Sequence, residues 1–308
     1  MDRRRFCAAA LAAPLATVAA PLARAAAEAL PTGPRAPHRR VPSTGATLPP
    51  IGMGTWITFD LPPDHPERAD RVAVLQAFFD AGGGMVDSSP MYGHAEELLG
   101  HALERTDRAP GTLFSASKIW TPMILRGERQ MNDTERLWDA GPMDLMQVHN
   151  LVDWKAHLPR LREWRAEGRI GHLGVTTSHG RRHAELETIL RREPLDFVQL
   201  TYNVRDREAE RRLLPLARER GVAVIVNRPY QRGAIPRARA GQPLPGLARE
   251  LGCESWAQFA LLFAISHPAV TCAIPATGVV AHMRENMAVA ALPMPDAGTR
   301  ERIAATFA

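Results

Sequence analysis

Eight short apolar runs, separated by longer amphipathic stretches, constrain the fold of this chain more than any other feature. The runs are IGMG, GMVD, TLFSAS, MDLMQVH, IGHLGV, DFVQL, VAVIV and VTCAI. Continuously apolar strands that alternate with helices are typical of a parallel sheet buried on both faces. Eight such repeats in one segment favour an α/β fold of the (β/α)8 TIM-barrel type. The alternative is an open doubly wound sheet, but no Gly-x-Gly-x-x-Gly follows the first run.

Helices are expected between the runs because apolar residues recur there at helical spacing. Gly168 and Gly221 follow two of these stretches, where glycine commonly ends a helix. The predicted helices cover residues 69–81, 95–104, 157–167, 207–220 and 256–267.

The N-terminus has the pattern of an export signal. Arg3, Arg4, Arg5 and Phe6 precede an Ala/Leu-rich region, which resembles a twin-arginine signal. We therefore expect a signal peptide over residues 1–27 and a periplasmic protein; a basic helix that stays attached is the alternative. Residues 28–50 then form a linker and a hairpin around VPSTGATLPP, and residues 51–308 form the barrel.

Charge and cysteine content exclude several classes of protein. The formal net charge is +5, but Arg3, Arg4, Arg5 and Arg24 against Asp2 supply +3 of it, which leaves +2. That is too little for a nucleic-acid partner, and we expect no stable membrane insertion once the signal is removed. Cys253 and Cys272 lack metal-ligand spacing, so two free thiols and no metal are expected. The sequence does not indicate an oligomeric state.

Polar residues stand at the ends of three successive runs. Asp87 closes the second run, Lys118 closes the third and His149 closes the fourth, while Tyr92 follows in the loop after the second. The carboxyl ends of barrel strands form the active-site face, so we expect the four side chains to converge. Each alone is more often a cap, a packing residue or a structural histidine. Together they form a proton-delivery device, in which Lys118 lowers the pKa of the Tyr92 hydroxyl.

The segments that carry these residues resemble the aldo/keto reductase family. The matching motifs span residues 41–290 in the family's order: IGMGTW, VDSSPMYGHAEELLG, SASKIW, DLMQVHN, GRIGHLGVT, VQLTYN and IPATGVVAHMRENMAVA. The resemblance implies a barrel that binds a nicotinamide cofactor without a Rossmann domain. It further implies that Tyr92 is the general acid, that Lys118 and Asp87 set its pKa, and that His149 orients the carbonyl.

The resemblance also implies cofactor contacts, with several departures from the family's pattern. Asn227 stands where an aromatic residue commonly stacks on the nicotinamide, and Arg228 beside it is either a ring or pyrophosphate contact or an ordinary surface residue. Ala276 and His282 replace the usual cations for the 2′-phosphate, so NADP or NAD is expected, with NADP slightly favoured. The implied cofactor residues are Thr176, Thr177, Gln199, Asn227, Arg228, Thr277, Gly278, His282, Glu285 and Asn286.

Trp56, Trp120 and Asn150 match positions that line the substrate pocket in the family, although packing at the barrel mouth also explains the tryptophans. The leading hypothesis is therefore an exported NAD(P)H-dependent enzyme that reduces a small-molecule aldehyde or ketone. The alternatives are a cofactor-binding sensor with little turnover and a structural barrel without a cofactor.

Overall fold

A computed structural model describes residues 38–308, and these residues form an eight-stranded parallel barrel. Each strand pairs with the next in sequence, and the hydrogen bonds Gly52 N to Ala273 O (2.8 Å) and Ala273 N to Pro50 O (2.9 Å) join the first strand to the last. The (β/α)8 prediction is confirmed. The barrel strands are β3 (Met53–Gly54), β4 (Met85–Asp87), β5 (Phe114–Ile119), β6 (Met143–Val148), β7 (Ile170–Thr176), β8 (Phe197–Thr201), β9 (Ala223–Asn227) and β10 (Val270–Ala273).

An antiparallel hairpin precedes the barrel. Its strands are β1 (Arg39–Arg40) and β2 (Thr47–Leu48). The Arg39 side chain donates to the carbonyl oxygens of Val270 and Ile265, which lie at the start of β10 and before it. The hairpin is therefore bound to the N-terminal end of the barrel, opposite the end where the strands' carboxyl termini meet. The predicted signal peptide lies outside the described residues.

Helices cover the outside of the barrel. They are α1 (Arg68–Asp80), α2 (Ala95–Leu103), α3 (Ile124–Trp138), α4 (Trp154–Ala166), α5 (His183–Arg192), α6 (Leu213–Glu219), α7 (Ala234–Arg237), α8 (Gly246–Glu250), α9 (Trp256–Ile265), α10 (Val280–Ala288) and α11 (Ala297–Thr306). None of the described helices is both long enough and apolar enough to cross a lipid bilayer.

The five predicted helices are present, with one correction to their extent. The helix predicted over residues 207–220 is divided into a short 3₁₀ turn (Glu208–Glu210) and α6. Pro215 lies in the first turn of α6, and a proline without an N–H is accepted there but not in a helix interior. Gly168 and Gly221 adopt positive φ angles of 75° and 66° directly after α4 and α6, as helix-ending glycines do.

Candidate active site

A cavity of about 1030 Å³ opens at the carboxyl ends of the strands, and a buried ion pair lies beneath it. Asp87 is the last residue of β4 and Lys118 is the penultimate residue of β5, so the parallel pairing of these strands places the two side chains together. Lys118 Nζ lies 2.5 Å from Asp87 Oδ1 and 2.7 Å from the Ser88 carbonyl oxygen. Burial is the largest single influence on the Lys118 pKa and lowers it, but Asp87 and, to a smaller extent, Tyr92 together outweigh burial and raise the pKa. The ammonium therefore stays protonated at neutral pH.

Two glutamines hold the second oxygen of Asp87. Gln147 Nε2 donates to Asp87 Oδ2 at 3.2 Å, and Gln199 Nε2 donates to the same oxygen at 2.9 Å. Gln199 was expected as a cofactor contact, whereas Gln147 was not expected at all. Its only signal in the sequence is a single amide within the apolar strand β6. Both amides fix the direction from which the carboxylate holds Lys118.

Tyr92 reaches the cavity from the loop between β4 and α2. Lys118 Nζ lies 5.2 Å from the centroid of its ring. Burial raises the Tyr92 pKa above its usual value, while the charge of Lys118 is the main opposing influence. The expected lowering by Lys118 is thus present but smaller than the effect of burial. Tyr92 consequently holds its proton at neutral pH, which is the state that a proton donor requires.

His149 follows β6 directly, and its ring stands edge-on to Tyr92 with the centroids 5.7 Å apart. Burial, with a smaller contribution from Lys118, lowers the His149 pKa well below its usual value, so the imidazole is neutral. Ser89 Oγ lies 3.0 Å from Nδ1 and accepts a hydrogen bond from Met91 N. The Ser89 hydroxyl proton is thereby available to Nδ1, which leaves the N–H on Nε2. This role of Ser89 was not predicted from the sequence.

The residues expected at the nicotinamide end of the cofactor lie together along the cavity wall; they are Thr176, Thr177, Gln199 and Asn227. Asn227 Nδ2 donates to the Thr177 carbonyl oxygen at 2.9 Å, and Thr201 Oγ1 donates to Asn227 Oδ1 at 2.8 Å. Thr176 Oγ1 accepts from the Asn150 backbone N–H. Thr177 Oγ1 is buried and has no hydrogen-bond partner among the described residues. An orphaned hydroxyl at this wall fits a ligand that carries an amide, as nicotinamide does.

The residues expected at the adenosine end also line the cavity, and two of them have partners that the sequence did not indicate. The Tyr230 hydroxyl donates to Asn286 Oδ1 at 2.6 Å, and the Ser255 hydroxyl donates to Glu285. Thr277 and Gly278 precede α10, whose N-terminus favours phosphate, and His282 lies exposed in its first turn. The residues present therefore fit a dinucleotide along the whole cavity.

Two of the three expected substrate-pocket residues line the cavity. Trp56 lies with its ring centroid 6.4 Å from that of Tyr92, and Asn150 stands beside the catalytic histidine. Trp120 does not line the cavity: the residue is 44% exposed, and the Gln130 side-chain amide bonds its backbone N–H and carbonyl. Arg228 is a cavity residue, with its Cζ 5.6 Å from the Trp56 ring centroid.

Comparisons with known proteins agree with this geometry. The model of the aldo/keto reductase family matches residues 50–301. The methylglyoxal reductase YeaE of Escherichia coli is 27% identical over 80% of this chain and 87% of its own length. The NADH-specific methylglyoxal reductase of the same organism is 26% identical over 67% of this chain and 71% of its own. The crystal structure of an aldo/keto reductase from Klebsiella pneumoniae with NADP and acetate is 23% identical, with a TM-score of 0.71 over 85% of this chain and 93% of that one. With the family model covering most of its length, this chain belongs to the aldo/keto reductase family of NAD(P)H-dependent oxidoreductases.

Proposed function

We propose that this protein is an exported reductase that converts small aldehydes or ketones to alcohols with NADPH or NADH. The observation that carries the proposal is the assembly of Tyr92, Lys118, Asp87 and His149 at the floor of one cavity that also fits a dinucleotide. The relatives named for methylglyoxal reduction support a small substrate. Methylglyoxal is therefore the first compound to test.

The side chains divide the chemistry of carbonyl reduction between them. A bound nicotinamide supplies the hydride. Reduction places negative charge on the carbonyl oxygen, and this oxygen needs a proton. Tyr92 is protonated at neutral pH and donates from its hydroxyl, while the Lys118 ammonium stabilises the phenolate that remains.

His149 acts on the same oxygen as a neutral hydrogen-bond donor. With Ser89 at Nδ1, the N–H on Nε2 is free to orient the carbonyl. A neutral imidazole also leaves the proton transfer to Tyr92, because its lowered pKa excludes an imidazolium acid at neutral pH. The histidine therefore positions the substrate, and the tyrosine protonates it.

Steady-state oxidation of NADPH and NADH with methylglyoxal and a panel of small aldehydes tests the proposal. Tyr92→Phe keeps the ring but removes the donor, so turnover is expected to fall by about 10²–10⁴-fold. Binding of NADPH to the same variant, measured by calorimetry, is expected to change little. A wild-type protein that binds NADPH but turns over no aldehyde supports a sensor instead, and a Tyr92→Phe variant with normal turnover refutes the mechanism.

The export part of the proposal rests on the sequence of residues 1–27. Arg3-Arg4-Arg5-Phe6 and the Ala/Leu-rich region that follows have the form of a twin-arginine signal. This route suits a protein that needs a cofactor, since it carries proteins already folded. Fractionation of cells that express the wild type and the Arg3→Lys, Arg4→Lys, Arg5→Lys triple variant tests it. Wild-type protein found only in the cytoplasm, with residues 1–25 still attached, refutes export and leaves the reductase assignment intact.

A further inference from the structure

The loop that follows the first barrel strand contacts both the proton donor and the segment behind it. Residues 55–60 of this loop are called the Trp56 loop. The centroid of the Trp56 ring lies 6.4 Å from that of Tyr92. At the other end of the loop, Asp60 Oδ1 accepts a hydrogen bond from the His94 backbone N–H at 2.9 Å. The Trp56 loop therefore affects the position of Tyr92 through two separate contacts.

The Trp56 loop and the loop that carries Tyr92 approach each other so closely that only glycine fits between them. Gly93 directly follows Tyr92, and a Cβ atom at this position would overlap the Asp60 carboxylate. Gly93 also has a φ of 61°, a conformation that residues with a Cβ rarely adopt. A displacement of the Trp56 loop is consequently transmitted to the residue next to the proton donor.

Arg71 of α1 holds the middle of the Trp56 loop. This arginine is only 8% exposed, and its Nε donates to the Thr58 carbonyl oxygen at 2.6 Å. The neighbouring Ile57 has a φ of 66°, which is strained for a β-branched residue. A loop that contains such a residue keeps its conformation only when its surroundings fix it. The guanidinium group of Arg71 is one of these fixing contacts.

The same guanidinium group also holds the cofactor side of the cavity. Its Nη1 donates to the Gly278 carbonyl oxygen at 2.9 Å, and its Nη2 pairs with Glu67 at 2.7 Å. A Cβ atom on Gly278 would lie 2.6 Å from the Arg71 Cζ, so this contact requires glycine. Because a guanidinium group is planar and rigid, it sets the distance between the Trp56 loop and the segment before α10.

We propose that Arg71 is a positioning residue for carbonyl reduction. By joining Thr58 to Gly278, it holds the Trp56 loop, and with it Tyr92, at a fixed distance from the bound cofactor. The inference rests on the proposed reductase function and adds a residue that acts from outside the cavity. Proton and hydride have to reach the two atoms of one carbonyl group, so a shift of the donor by about 1 Å lowers the rate about 10²-fold.

Arg71→Ala removes the bridge and leaves a site with three acceptors, which are the two carbonyl oxygens and the Glu67 carboxylate. For the aldehyde that the wild type reduces fastest, kcat/KM with NADPH is expected to fall by about 10–10²-fold. Guanidinium chloride, added far below the concentrations that unfold the protein, supplies a cation that fits the vacated site and is expected to restore activity severalfold. The same concentration of sodium chloride is expected to restore none.

Arg39→Ala is the matched control. Arg39 also donates to two backbone carbonyl oxygens, those of Val270 and Ile265, but at the opposite end of the barrel. This variant is expected to lower the free energy of unfolding in urea, while kcat/KM stays at the wild-type value and does not respond to guanidinium. If Arg71→Ala does not fold, Arg71→Lys takes its place, because an ammonium keeps the charge beside Glu67 but lacks the fork that reaches both carbonyl oxygens.

Hydrogen exchange of the His94 amide gives a readout that does not depend on turnover. Exchange is expected to be faster in the Arg71 variant than in the wild type, and unchanged in Arg39→Ala. An Arg71 variant with wild-type kcat/KM overturns the proposal while the reductase function stands, and so does a loss of activity without faster exchange at His94. If the wild type reduces no aldehyde, the proposed function fails. Exchange then decides, because an unchanged rate at His94 refutes the positioning role and a faster rate supports it.

Discussion

Replacing Lys118 with Met is the most direct test of the buried ion pair. The side chains of Lys118 and Asp87 are 0% and 2% exposed, and their charged atoms lie 2.5 Å apart. Removing one partner of a buried pair leaves the other charge uncompensated, which typically costs about 3–5 kcal/mol. Gln147 and Gln199 still donate to Asp87, so we expect the lower end of this range, about 3 kcal/mol.

A second variant separates the electrostatic cost from a packing cost. In the double variant Asp87→Asn, Lys118→Met neither charge remains, so its free energy of unfolding is expected to exceed that of Lys118→Met alone. Carbonyl reduction is expected to stay low in both, because Tyr92 loses the cation that opposes the rise in its pKa. The double variant is thus expected to be more stable than Lys118→Met but no more active.

Urea unfolding followed by fluorescence and steady-state oxidation of NADPH give the two readouts. Lys155→Met is a matched control, since Lys155 is the only other lysine of the chain and lies exposed on α4. Its change in unfolding free energy is expected to stay within about 0.5 kcal/mol. A Lys118→Met protein as stable and as active as the wild type would refute the reasoning, and so would a double variant no more stable than the single one.

Three further outcomes are expected from other parts of the site. Ser89→Ala removes the partner of His149 Nδ1, and the rate of carbonyl reduction is expected to fall about tenfold with cofactor affinity unchanged, measured by turnover and calorimetry. Burial raises the pKa of Glu96 from 4.5 to about 7. Between these two pH values Glu96 is ionised in the unfolded chain but still protonated in the folded one, so the free energy of unfolding falls as the pH rises. Glu96→Gln is expected to flatten the pH dependence of this free energy, measured by urea unfolding. Ala276→Lys combined with His282→Arg is expected to raise the preference for NADP over NAD about tenfold or more, measured as the ratio of dissociation constants.

The fold could be predicted because each barrel strand corresponds to a short, local pattern in the sequence. Each barrel strand is a short apolar run, and strand order in such a barrel follows sequence order. The extent of a helix is decided less locally. The stretch predicted as one helix over residues 207–220 contains a 3₁₀ turn and α6, because packing against neighbouring elements helps to decide where a helix begins and ends.

The convergence of three site residues was predictable because strands determine their placement. Asp87, Lys118 and His149 lie at strand ends, so register alone brings them together. The contacts of Ser89 and Arg232 depend on loop conformation instead. Arg232 owes its position to a non-glycine residue with positive φ, which the sequence does not reveal.

The composition of the chain gives the lysine beside Tyr92 a specific meaning. The sequence contains 36 arginines and two lysines, so nearly all of its cations are guanidinium groups. The planar guanidinium group of arginine pairs with a carboxylate through two hydrogen bonds or lies on an aromatic ring, as Arg232 does on Trp56. The space between Asp87, the Ser88 carbonyl and Tyr92 needs a compact charge with donors pointing in several directions, and an ammonium provides this. The choice of cation at each position therefore follows the geometry of its surroundings: a compact ammonium stabilises a phenolate, and a flat guanidinium lies on an indole ring.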